Sequence, residues 1–284
     1  MDTRILVAII SSGTSIVILV IYSLIFKPLW EKYFHVYKLE QEYRYEQRKK
    51  IKDILAKNKI QLINSCEQLI YRLWNLCSNY KEEWQCESNN YYFTSFVYRF
   101  LAVCAWVKKT HNEMLFLDST IATKKDMEFI KFLKLIPQIL CDVTLFDGFN
   151  YDPNEQKDHF FSNNLDLYCQ SIMTNNSVLT YSEFMKKYEK SRDEFEDVCH
   201  FIDGISPGED RLRWDRLQLL NNTLMVFLNA FGYDFQNTSD QKFIGIISKP
   251  RKNRFINNYI KIIEKNRLSN TRDFKRNLRA IAST

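Results

Sequence analysis

Apolar positions open the chain as one unbroken block. From Ile5 to Phe26, 22 residues carry no formal charge, ILVAIISSGTSIVILVIYSLIF; at the helical rise they cover about 33 Å, against about 30 Å of bilayer hydrocarbon. The pattern predicts a transmembrane helix. A cleaved signal peptide would stop after about 7 to 15 apolar residues and end in small side chains, whereas this block runs into SLIFKPLW. Only Asp2 and Arg4 precede the span, while Lys27, Lys32, Lys38, Arg44, Arg48, Lys49, Lys50 and Lys52 follow it. By the positive-inside rule this flank is cytoplasmic, so the expected location is the cell inner membrane, single-pass, with a cytoplasmic C-terminal body.

Beyond Pro28 there is neither Gly nor Pro until Pro137. Leu62, Cys66, Leu69, Leu73, Leu76 and Tyr80 recur at alternating spacings of four and three, which predicts a helix with a heptad-like stripe. Upstream, from Glu31 to Lys59, tyrosine and charge dominate and Asn58 and Lys59 interrupt the stripe, as in a solvated helical stalk. A second helix is expected after Ser88-Asn89-Asn90, with Phe93, Val97, Phe100, Cys104, Val107 and Leu115 inward as far as Phe116. A third follows the capping pattern Thr123-x-x-Asp126 and carries Pro137 as a kink. Asp147 to Asp158 reads as loop and Leu165 to Met173 as a short helix; Thr180-x-x-Glu183 opens a helix to Gly204, and Glu209 to Phe231 forms the last long one, closed by Gly232. The run FIGII, Phe243 to Ile247, is the single β-like signal.

The fold class expected is therefore all-α: an N-terminal transmembrane anchor over 1–27, a helical stalk over 28–60, a helical-bundle cytoplasmic domain over 61–248 and a basic amphipathic tail over 249–284.

Composition mostly excludes. Six glycines, none in a phosphate-cradling order, leave no P-loop or nucleophile elbow. Cys66, Cys77, Cys86, Cys104, Cys141, Cys169 and Cys199 are odd in number and show no CxxC spacing, which fits free thiols in a reducing compartment. Four histidines form no HxxxH pair, and Glu196, Cys199 and His200 are the one cluster on a helical face, read as an ordinary exposed helix end. Asp142, Asp147, Asp152, Glu155 and Asp158 crowd one stretch without the order of a calcium loop, so a solvated polar loop is expected. Tyr91, Tyr92, Phe93, Phe96, Tyr98 and Phe100 lie at helical spacing, as core packing requires. No catalytic, cofactor or metal residue is assigned.

Charge distribution changes the picture. From Lys249 to Thr284 eleven Lys and Arg face two acids, a local net of +9, so this segment exceeds the +6 of the whole chain. Phe255, Ile256, Tyr259, Ile262 and Ile263 line one predicted helix face there, and Phe274, Leu278 and Ile281 another. Arg251, Lys252, Arg254, Lys275, Arg276 and Arg279 are the candidates for an anionic surface, lipid or nucleic acid. Within the span, Ala8, Ser11, Ser12 and Ser15 put small residues on one face, the arrangement that lets two helices self-associate.

The order YYFTSFVYRFLAVCAWVKKTHNEMLFLD, YSEFMKKYEKSRDEFEDVCHFID, RLRWDRLQLLNNTLMVFLNAFGYDF resembles an uncharacterised bacterial family with one N-terminal transmembrane span and an all-helical cytoplasmic body. The likeness covers Tyr91 to Phe235, marked by Tyr98, Trp106, Phe116-Leu117-Asp118 and Arg213 to Leu220. It implies fold and topology, and carries no assigned activity. The leading expectation is a non-enzymatic, membrane-anchored scaffold or sensor-effector that meets itself, the membrane or a protein partner. The alternatives are a membrane-tethered nucleic-acid binder, for instance in phage defence, and an enzyme assembled from scattered carboxylates and His200.

Overall fold

The structure is a computed structural model that describes residues 2–79, 90–115 and 120–282. Among them all regular structure is helical, and one isolated β-bridge joins Met173 to Val178. The chain divides into two units, Met1–Lys52 and Asp53–Thr284. Tyr80, Cys86, Ser88, Asn89 and Phe116-Leu117-Asp118, singled out in the sequence, lie outside the described residues.

In the first unit Asp2 caps α1 (Thr3–Ile21), accepting from the Arg4 amide at 3.4 Å. A π-helical turn, Tyr22–Phe26, follows, and α2 (Lys27–Ser78) continues without a break. This is one helix long and apolar enough to cross a membrane, and none of its apolar window is buried.

The second unit is built from local signals that the sequence states openly. Leu62, Ile63, Cys66, Leu69, Leu73 and Leu76 bury the inner stripe of α2. Asn90 caps α3 (Tyr91–Met114) through the Phe93 amide at 2.6 Å. Capping boxes open α4 (Lys124–Cys141), with Thr123 and Asp126, and α6 (Tyr181–Lys190), with Thr180 and Glu183. Pro137 stands inside α4. Then α5 (Ser162–Ile172) and α7 (Glu196–Ile202) pack with α4 and α6 around α3.

At the other side α4 packs on α8 (Arg213–Phe231), which is buried over all but two of its nineteen residues. A helix buried all round is expected to be apolar, yet Arg213, Asp215, Arg216, Gln218, Asn221, Asn222 and Thr223 are all buried here. Against α8 lie α9 (Asp240–Ser248) and α11 (Arg272–Ala282), while α10 (Ile256–Lys265) meets the 3-10 turn Val143–Phe146.

Several expectations are corrected. Leu115, expected on the inward face, is the residue that ends α3 and is exposed. FIGII is helical: Ser239 caps α9, and Phe243, Ile246 and Ile247 go inward at spacings of three and one. A short apolar run has the same signature in a buried helix as in a strand. The helix expected over Thr180 to Gly204 is interrupted at Ser191, whose backbone leaves the helical region. Glu209 does not start α8, because the buried Asp158 carboxylate takes the Leu212 amide at 2.9 Å and Arg211 Nε at 2.8 Å and so sets the first turn at Arg213. Asn58 is buried rather than solvated and donates to Glu113 at 2.7 Å. The segment after Lys249 is no separate tail: Phe255, Tyr259, Ile263 and Phe274 are fully buried in the common core.

Arg216 and His159 are among the basic side chains that sit inside. Arg216 is fully buried, its guanidinium 4.5 Å over the Phe146 ring, and it donates to the carbonyls of Ile139 and Asp142 at the negative end of α4. Burial draws its pKa down to about 10, so it stays charged at neutral pH. His159 is buried nearby with Nδ1 2.6 Å from the Tyr151 hydroxyl, which itself donates to the Glu155 carbonyl. His159 Nδ1 is therefore the donor, and Nε2 is bare and without a partner.

Burial, with the Arg216 charge behind it, pushes the His159 pKa down to about 4 from an ordinary 6.5. The unfolded chain then takes up a proton that the folded one refuses, so stability falls as pH drops from about 6.5 to about 4. Denaturant titrations at pH 7, 5.5 and 4.5 check this: the parent loses stability stepwise, and His159→Gln has a flatter profile over that window.

Candidate functional site: the basic C-terminal segment

The polar residues of α8 form a strip at Asp215, Gln218 and Asn222, positions i, i+3 and i+7 on one face. Each receives part of the C-terminal segment. Asp215 is fully buried and takes five hydrogen bonds: two from the Arg251 guanidinium, both 2.8 Å, two from Arg254 at 2.9 and 2.7 Å, and one from the Arg254 amide at 2.8 Å. Burial alone would raise the Asp215 pKa, but the donors from Arg251 and Arg254 outweigh it and hold the carboxyl below its ordinary value. Asn253 donates to the Asp215 carbonyl at 2.8 Å and to Gln218 Oε1 at 2.9 Å, while Gln218 Nε2 donates to the carbonyls of Ile246 and Lys249. Asn222 and Asn277 exchange amide hydrogen bonds at 3.0 and 2.8 Å, and Asn222 also donates to the Tyr259 hydroxyl.

This geometry sorts the six basic candidates. Arg251 and Arg254 are spent inward on Asp215, with Arg251 Nε also donating to the Pro207 carbonyl and Arg254 to that of Arg211. Both guanidinium groups are thus engaged by a buried carboxylate through charge-assisted hydrogen bonds, while about a quarter to a third of each side chain stays exposed. Arg276 pairs with the exposed Asp240 at 2.6 Å. Lys252, Lys275 and Arg279 are exposed and have no ion pair among the described residues. Arg272, which the candidate set lacked, joins them: it lies three residues before Lys275, so Arg272, Lys275, Arg276 and Arg279 line the solvent face of α11. The opposite face buries Phe274, Asn277 and Ile281. The i, i+3, i+4, i+7 spacing of the four cations was the available signal.

In α1 the hydroxyls turn back on their own helix. Ser11 donates to the Ala8 carbonyl at 3.2 Å, Ser12 to Ile9 at 3.0 Å and Ser15 to Ser11 at 2.8 Å. Ala8, Ser11, Ser12 and Ser15 are thus exposed and internally satisfied.

The remaining candidates separate. Glu196 and His200 are exposed, 3.9 Å apart, whereas Cys199 turns inward to the Tyr188 hydroxyl at 3.4 Å. Asp142 caps the turn at Thr144, Asp152 that at Asn154, and Asp158 holds Arg211. The described cysteines are free, and burial pushes the Cys77 thiol up to about 12. Of the six aromatics expected in the core, Phe93, Phe96 and Phe100 are buried there and Tyr92 and Tyr98 are part-buried, whereas Tyr91, at the first position of α3, is exposed. Among the described residues no group of three or more His, Cys, Asp or Glu gathers as a metal site would require. Compared with protein-family models, curated proteins and solved structures, the chain matches nothing.

Asp215→Asn keeps the size and removes the charge, leaving two guanidinium groups facing a neutral amide. The expected loss is about 3 kcal/mol, a fall in Tm of roughly 6 to 12 °C for a body of this size. Lys252→Gln, at an exposed position, is neutral in the same melt. In the parent the Asp215 contribution is complete above the ordinary 3.8 and is lost as pH falls through the lower folded value.

Proposed function

We propose that this chain is a single-pass, membrane-anchored helical protein whose cytoplasmic body acts by contact with the membrane or a protein partner, not by catalysis. One observation carries the reading: 22 consecutive uncharged residues sit on a helix whose apolar window the chain leaves wholly uncovered. In water that much exposed hydrocarbon is unfavourable, and a bilayer removes the cost. Exposed Trp30 and Tyr33 follow the span, where headgroups would begin. The surplus of Lys and Arg after the span supports a cytoplasmic body at an inner membrane.

The solvent face of α11 supports an anionic contact. Each of its cations contributes about 1 kcal/mol near an anionic leaflet, and the contribution falls away within a Debye length of about 8 to 10 Å. Attachment to the same membrane raises the local concentration of headgroups around this face. The proposed contact set is Arg272, Lys275, Arg276 and Arg279, with Lys252 as an additional exposed cation.

Two measurements test the reading. Membranes washed in alkaline carbonate retain the full chain, loss of residues 1–27 sends it to the soluble fraction, and a reporter fused after Thr284 is active in the cytoplasm; activity of an export-dependent reporter there would overturn the topology. Residues 53–284 alone bind anionic liposomes at low salt, and changing the four α11 cations to Gln weakens this at least tenfold without lowering Tm. Equal binding by parent and variant, or tighter binding to duplex DNA with a steeper salt dependence, would replace the lipid reading.

A further inference from the structure

Between α3, α4 and α5 lies a cleft of about 210 Å³ that no role described above uses. Each helix turns one face to it: Cys104, Lys108 and His111 from α3, then Leu133 and Lys134 from α4. From α5 come Ser162, Asp166 and Cys169. The spacings are those of a single helical face, so the lining is fixed by three packed helices rather than by loops.

The cleft has two chemically distinct ends. Its floor is apolar: Cys104 and Leu133 are buried, Cys169 likewise, and the Cys104 thiol is held protonated by its hydrogen bond to Cys169 and by burial. A free buried thiol behaves as a small hydrophobe. Its rim is polar. Lys108 is already neutralised by Asp166 at 2.5 Å, which leaves Lys134, exposed and with no ion pair among the described residues, as the available charge. His111 stands three residues beyond Lys108 on the same helical face, half-buried and within the field of both lysines, and supplies a ring nitrogen without a second full charge. Ser162 opens α5, whose N-cap residue makes no side-chain hydrogen bond, so the positive end of the helix adds to the rim.

We propose that this cleft binds a small organic monoanion, a carboxylate with an apolar body, with the carboxylate at Lys134 and the α5 amino end and the body on the thiol floor. Size sets the limit: the volume equals about seven waters at ~30 Å³ each, well under the roughly 300 Å³ of drug-sized pockets. A single ring with one carboxylate fits this measure, whereas a nucleotide does not. Charge sets the other limit, since one uncompensated lysine beside a carboxylate suits one negative charge, and a dianion would meet Asp166.

The test uses the full chain in detergent with benzoate as probe and benzamide, its neutral counterpart, as control, read by calorimetry against detergent alone. Benzoate is expected to bind at least fivefold more tightly than benzamide. Lys134→Gln, at an exposed position, is expected to reduce benzoate affinity at least fivefold and leave benzamide unchanged. Val107→Phe, which enlarges a side chain of the lining and fills the cleft, is expected to abolish both, with an unchanged circular dichroism melt showing that the fold survives. Absence of benzoate binding at about 20 mM, equal affinity for the two probes, or full benzoate affinity in a folded Lys134→Gln variant would each overturn the proposal.

Discussion

Asp215 is the constraint on which the body depends. A carboxylate with no solvent exposure in the first turn of a buried helix is tolerable only where cations and donors meet it, since an uncompensated charge there costs several kcal/mol. The donors come from Arg251 and Arg254, on a segment 36 to 39 residues further along the chain. Satisfying that one group fixes the path of the segment, and Gln218 and Asn222 extend the same requirement along α8. Hydrophobic burial of Phe255, Tyr259 and Phe274 gives the segment its adhesion, but burial is non-directional. The polar strip decides where along α8 each part docks, in the way a buried polar residue fixes register in a coiled coil.

Arg216 is solved differently. It finds no carboxylate in hydrogen-bond contact among the described residues and instead uses the carbonyl end of α4 and the face of Phe146. A helix terminus is a diffuse partial charge rather than a full one, which suits a cation that burial has already weakened. Two adjacent charged residues on one buried helix are thus matched to two kinds of partner, an ion pair toward the C-terminal segment and a helix end toward α4.

Much of this was legible in the sequence wherever the signal was local. The caps at Asn90, Thr123 and Thr180 announce their helices because the side chain that satisfies the first amides sits within three residues of them. The apolar face of the last helices was readable from spacing alone, as Phe274 and Ile281 show. What failed was non-local. A count of Lys and Arg after Lys249 shows a surplus, but nothing near Arg251 or Arg254 reveals that a carboxylate far upstream claims them. Asn58 looked solvated because its partner Glu113 is 55 residues away. FIGII failed for another reason: five apolar residues carry no period long enough to separate helix from strand.

The order of these parts along the chain also dictates an order in time. The apolar helix is synthesised long before Asp215, and the residues that neutralise Asp215 come later still. At about 5 to 20 residues per second, roughly 2 to 8 seconds separate Asp215 from Arg254 during translation. In that interval α8 cannot complete its buried surroundings, so the nascent body stays open until Arg254 has left the ribosome. A chain that stops anywhere between Asp215 and Arg251 carries its apolar helix but lacks the two guanidinium groups that neutralise Asp215.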